Sequence, residues 1–159
     1  KIDPNNEAIQ FIINEVQWSY LIVFFILFFL GGYLLYSGLM AAIGAAVDEE
    51  ADTQQFLLPL TIPMVFAILM ANKVIDDPSS SLAFWLSEIP FTSPVIMIVR
   101  IAMGIGDSSV EIWEIILSLF LLTITFIGTT WLSGRIYRKG ILSYGKKASY
   151  SDLFKWLKN

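Results

Sequence analysis

Glu88 and Arg100 are the two opposite charges inside an otherwise apolar stretch, LAFWLSEIPFTSPVIMIVRIAMGIG at 82–106. Charges set among apolar side chains serve structure or transport, because desolvating them is expensive. Pro90 and Pro94 fall between the two charges and split the stretch into two half-length helices. If the halves fold back on each other, carboxylate and guanidinium approach. Two roles are then open: an ion pair that pins a hairpin, or a part in gating and substrate exit. Thr92 and Ser93 lie at the hairpin's tip, where their hydroxyls can satisfy backbone groups that the break sets free.

Other residues offer less chemistry. Asp76 and Asp77 could hold a cation, but two acids before Pro78 read as a turn. Gly140-Ile-Leu-Ser-Tyr-Gly145-Lys146-Lys147 approaches the phosphate-binding pattern G-x-x-x-x-G-K-[ST] and fails it twice. Lys147 replaces the hydroxyl residue that holds magnesium, and the preceding element is an apolar helix rather than a strand. The stretch reads instead as a basic loop beside anionic headgroups. The chain has no histidine and no cysteine. That removes the usual general base, thiolate metal sites and disulfides. No metal site is expected, and no span interior carries a group suited to acid–base or nucleophilic work. The chain is not expected to be an enzyme.

The elements that position Glu88 and Arg100 are membrane helices. Residues 16–47 carry no charged side chain, and a bilayer core about 30 Å thick needs only about 20 apolar residues of helix. The mean hydropathy of +0.68 fits a chain solvated by lipid. The expected fold is all-α and integral to the membrane, with three transmembrane helices and an external re-entrant helical hairpin. The spans are placed at about 18–47, 56–75 and 111–134, and the hairpin at 82–106. The first span exceeds a bilayer, so it tilts, breaks near Gly31–Gly32 or protrudes. Gly38, Ala42 and Ala46 repeat every four residues and form a small face for helix packing. DEEADTQQ at 48–55 reads as a solvated polar loop, and Pro63 as a kink in the second span. A short interfacial helix is expected from Glu7, and a capped amphipathic helix at 149–158 on the membrane surface.

Charge orients these elements. Seven of the ten Lys and Arg lie from Arg135 to Lys158, which keeps the C-terminus cytoplasmic. Arg135, Arg138 and Lys139 then anchor the inner surface. With three spans, the hairpin is outside and DEEADTQQ inside. A fully crossing 82–106 would reverse the N-terminal half, but its two prolines and two charges favour re-entry.

The order of features resembles a known family. One span ends in GLMAAIGAAVDEEADTQQ and the next opens with FLLPLTIP; then come LSEIPFTSPVIMIVRIAMG and a last span ending in RIYRKGILSYGKK. Over residues 20–158 this resembles the C-terminal half of the permease of an ATP-binding-cassette exporter, in the type-2 superfamily, and most of all the sodium-efflux-type branch. The resemblance implies six spans per permease, of which these are the fourth to sixth. It also implies a second permease subunit and ABC ATPase subunits, which hold ATP and magnesium; this chain binds no cofactor. The chain is then a piece of a longer membrane subunit, residues 1–159 being half of its membrane domain, in the inner membrane of a prokaryote.

The function expected from the resemblance is that of a permease subunit of an ATP-driven exporter. Glu88, Pro90, Pro94 and Arg100 are its candidate gate residues, the lipid bilayer surrounds it, and nucleic acid is not a partner. The alternative is a membrane scaffold that anchors other proteins without transporting anything. The spans show no carboxylate cage for a cation, so the substrate is not specified.

Overall fold

The computed structural model describes residues 16–46, 50–106 and 109–140, with the backbone alone at 45–46, 50–53, 136–137 and 139–140, and five helices lie among these described residues. The segment from Glu7, the 149–158 tail and residues 141–147 of the basic stretch lie outside the described residues. Three helices are long: α1 (Trp18–Ala46), α2 (Glu50–Asp76) and, last in the chain, α5 (Ile112–Gly140). At ~1.5 Å per residue each is about 40 Å long, enough to cross a bilayer core. All three are apolar enough to do so. Between α2 and α5 lie two short helices, α3 (Ser81–Glu88) and α4 (Ser93–Met103). The architecture is all-helical among the described residues.

The long helices leave most of their large apolar side chains exposed, among them Phe29, Tyr33, Leu69, Ile116 and Trp131. In water such surface would drive aggregation; in lipid it is the ordinary outer face of a span. What is buried is narrow. Phe28 and Leu35 of α1 meet Met97 and Ile101 of α4 and Ile115 and Leu122 of α5 in one cluster. Ala67 and Val74 of α2 meet Ala83, Leu86 and Ile96 of the hairpin in another. The pairing of α1 with α5 is the most extensive, whereas α2 packs mainly on α4 and only lightly on α1.

Two local expectations change, and one left open is narrowed. The acidic stretch does not stay a loop: helix begins at Glu50 and takes in residues 50–55. Acids in a first turn are favoured by the helix dipole, and glutamate is itself a good helix former. Pro59 and Pro63 therefore lie well inside α2, and the Thr61 hydroxyl donates to the carbonyls of Leu57 and Leu58, each at 3.2 Å. Nor does α1 break at Gly31–Gly32; it is continuous, and these glycines serve close approach instead. A Cβ on Gly31 would lie 2.7 Å from Leu122 Cδ2, and one on Gly32 2.8 Å from Pro94 Cγ. The last helix runs on past Arg135 to Gly140.

The small face of α1 is turned toward α5. Ala42 is buried, a Cβ on Gly38 would meet Thr130 Oγ1 at 3.6 Å, and the Ser133 hydroxyl donates to the Gly38 carbonyl at 2.7 Å. The side chain at Ala46 is outside the described residues.

Candidate functional site: a clamped helical hairpin

The α3–α4 hairpin is formed by local signals. The Ser80 hydroxyl caps α3 by accepting from the Ala83 N–H at 3.2 Å. The chain then leaves helical geometry at Ile89, where Pro90 follows and disfavours the α region for the residue before it. Pro94 starts α4 in its first turn, where its missing donor costs nothing. Thr92 holds the break closed, its hydroxyl donating to the carbonyl of Leu86 at 2.5 Å and to that of Ile89 at 3.2 Å.

The tip reaches deep along α1. Pro94 abuts Gly32, and the Tyr36 hydroxyl donates to the Phe91 carbonyl at 2.8 Å while the two rings meet edge to face at 6.3 Å. Gly32 and Tyr36 lie roughly 20–27 Å along α1 from Trp18 at the helical rise. The tip also closes one end of an apolar groove of about 440 Å³ between α1 and α2, lined by Phe25, Phe29, Tyr33, Leu60 and Met64.

At the other end of the hairpin, Arg100 is a buried hub with 2% of its side chain exposed. Its Nε donates to the Pro78 carbonyl at 2.9 Å, one terminal nitrogen to the Ser87 hydroxyl at 2.7 Å, and the other to the Ser109 carbonyl at 2.7 Å. The nitrogen bound to Ser87 also lies 2.6 Å from the Glu114 carboxylate. One guanidinium thus joins α4 to the α2–α3 turn, to α3, to the loop before α5 and to α5 itself. Arginine's planar fork can do this where lysine's single ammonium cannot. Ser109 reciprocates by donating to the Arg100 carbonyl at 2.7 Å and contacting the Gly104 carbonyl. Gly104 and Gly106 hold positive φ of 129° and 103° in the loop that brings Ser109 back, a conformation that glycine adopts without strain. Ser118, one turn along α5 from Glu114, donates to the Ser87 carbonyl at 2.6 Å.

The expected pair of Glu88 with Arg100 is therefore replaced by Arg100 with Glu114. Helix ends explain the exchange. Arg100 is in the last turn of α4 and Glu114 in the first turn of α5, each at the end whose dipole favours its charge. Glu88 is the last residue of α3, the end that disfavours a carboxylate. It is buried, and among the described residues neither carboxyl oxygen has a hydrogen-bond partner. Outside the three long helices, burial pushes its pKa up to about 7; the nearby Glu114 raises it further, and Arg100 opposes this. Glu114 is not among the residues that the sequence singles out, and its pairing with Arg100 is a finding of the structure. An acid in the first turn of an apolar helix was the available signal.

Pro90 and Pro94 bracket the break and Arg100 clamps its base, while Glu88 stands beside the clamp without joining it. The inner-surface candidates lie far along α5. Arg135 stacks its guanidinium over the Trp131 ring at 4.0 Å, Arg138 is exposed, and the Lys139 side chain is outside the described residues. Trp113 and Trp131 are both exposed and about 27 Å apart along the helix, close to a hydrocarbon thickness. Among the described residues, no group of His, Cys, Asp and Glu is arranged to hold a metal.

The chain has relatives by sequence. The model of the ABC-2 family transporter protein matches residues 8–135, which includes the hairpin and all but the end of α5. The chain belongs to the ABC-2 transporter family. Two curated relatives of this ABC-2 protein are the uncharacterized protein YhaP of Bacillus subtilis (strain 168) and the uncharacterized protein MJ1024 of Methanocaldococcus jannaschii. YhaP is 28% identical over 132 residues, 83% of this chain and 30% of YhaP. MJ1024 is 26% identical over 136 residues, 86% of this chain and 33% of MJ1024. The ABC-2 chain thus spans about a third of the length of these relatives. No solved structure matches it.

Proposed function

We propose that this ABC-2 chain is the C-terminal half of the membrane domain of a permease of an ATP-driven exporter, sodium-efflux-like in type, in a prokaryotic inner membrane. The hairpin carries the reading: two half-helices dip to the middle of α1 and are clamped at their base by Arg100. Such a wedge can shut or open one end of a pathway without crossing the membrane. The basic end of α5 lies at the cytoplasmic surface and the hairpin at the outer one.

The pathway runs between two permease subunits, with the paired hairpins as its outer gate. No described span interior offers a charged path within one subunit, so an interface is the better route. ATP and magnesium are bound and turned over by a separate ABC ATPase, whose closure rocks the permeases. The complete subunit expressed with its neighbouring ATPase tests this. The two copurify, and Arg100→Ala changes ATP turnover in membranes. A folded subunit that recruits no ATPase overturns the exporter and leaves a membrane scaffold.

A further inference from the structure

Among the described residues, Glu88 is the ionisable group of the hairpin that the clamp leaves unused, and the Ser93 hydroxyl at the tip is likewise buried without a partner. Glu88 is 5% exposed, and among the described residues neither carboxyl oxygen has a partner. The neighbouring cation offers little. Of the five N–H groups of an arginine, Arg100 commits its Nε to Pro78, one nitrogen to Ser87 and Glu114, and the other to Ser109. No charged residue stands on α1. On α2 the nearby charges, Lys73 and Asp76, are exposed, as is Asp77 just beyond, while the face turned to the hairpin is Ala67 and Val74. From α5 the facing charge is Glu114, which repels a second carboxylate, and from α4 it is Arg100. The α3 dipole adds its negative end. A charge buried without hydrogen bonds is costly by far more than a neutral carboxyl in the same place.

We propose that Glu88 is a proton-binding site, neutral while the hairpin is docked against α1 and α5 and ionised when the hairpin swings out and gives the carboxyl to water. The bound ligand is a single proton, taken from and returned to solvent. Docking and protonation are then linked. A carboxyl that titrates at about 7 when docked, against an ordinary 4.5, holds the hairpin most firmly below the lower value. It loses that advantage as pH rises from the lower to the higher value, and loses no more above it. The inference stands without the exporter reading, since it concerns only the hairpin and its own acid.

The test uses the complete subunit in lipid nanodiscs. Infrared difference spectra between mildly acidic and mildly alkaline buffer should show the carbonyl band of a buried carboxylic acid, absent in Glu88→Gln. The hairpin itself is read by labelling. This chain has no cysteine, so Ser93→Cys, buried at the tip, reports undocking to a maleimide, with any native cysteines of the whole subunit removed. Exposed Ser79→Cys corrects for the thiol's own pH dependence. The corrected rate should rise at least tenfold between about pH 5.5 and 8, and Glu88→Gln should hold it at the low-pH value throughout. A missing band, a flat corrected rate, or pH dependence that survives Glu88→Gln would each overturn the proposal. So would a Glu88→Gln subunit that fails to fold, because the amide is a near-isostere of the neutral acid.

Discussion

Arg100 on α4 and Glu114 on α5 lie 2.6 Å apart at the base of the hairpin, and the arginine is almost wholly buried. The pair joins the broken helical hairpin to one of the long helices. Its value is uneven. A buried ion pair is weak support for stability when compared with an apolar replacement of the whole pair, because both ions had to leave water. Removing one partner alone is severe, because the other is left buried and unpaired.

Arg100→Ala is therefore expected to destabilise the hairpin by about 3–5 kcal/mol, since it strands Glu114 and also releases Ser87, Pro78 and Ser109. Arg100→Lys should recover only a small part, as one ammonium cannot reach all of these acceptors. Unfolding of the subunit in nanodiscs, followed for Arg100→Ala, Glu114→Ala and the double variant, measures the coupling. Additive losses would mean that the two side chains are not a pair.

The Tyr36 hydroxyl gives a finer test of the tip. Tyr36→Phe keeps the edge-to-face contact with Phe91 and removes only the hydrogen bond to its carbonyl. The expected loss is about 1 kcal/mol. Hydrogen exchange should quicken in residues 89–94 and stay unchanged along α5. Uniform quickening would place the hydroxyl's role in global stability rather than in holding the tip.

Stability should also depend on pH through Glu88. Its docked pKa is about 7 against 4.5 unperturbed, so the folded hairpin binds more protons than the opened one between those values, and stability falls as pH rises through that window. At pH 8 Glu88→Gln should be more stable than the parent by at most about 3 kcal/mol, and at pH 4 the two should be equal. Thermal unfolding across this range decides it. A parent protein with flat stability would mean that the carboxyl has water or a partner when docked.

Most of the fold was legible in the sequence because lipid makes unusually strict demands. A long charge-free run such as 16–47 is satisfied by helix, and Pro90 and Pro94, four residues apart beside polar Thr92 and Ser93, mark the break in the next apolar segment. The pairing at the base was not legible. Glu88 and Arg100 share a segment and Glu114 does not, so spacing along the chain favoured the wrong carboxylate. The choice is made by the direction of three helix ends and by the Gly104–Gly106 turn that folds α5 back, and those are tertiary facts. The same holds for Gly31–Gly32. Paired glycines in a helix suggest a break, and only the position of Pro94 and Leu122 shows that they are needed for contact.

That contact yields the last prediction. Gly32→Ala places a Cβ 2.8 Å from the Pro94 ring, and a proline at the start of α4 has no rotamer with which to withdraw. The hairpin must shift away from α1, at an overpacking cost of about 1–3 kcal/mol. Gly31→Ala meets Leu122 Cδ2 at 2.7 Å, the end of a side chain that can turn aside, so it should cost less. Gly44→Ala meets nothing within 4 Å and should stabilise α1 by roughly 0.5–1 kcal/mol through helix propensity alone. The order Gly44→Ala above parent, parent above Gly31→Ala, and Gly31→Ala above Gly32→Ala follows from geometry and not from residue type, since the three changes are chemically identical. Equal effects at all three positions would mean that the hairpin tip does not sit on α1.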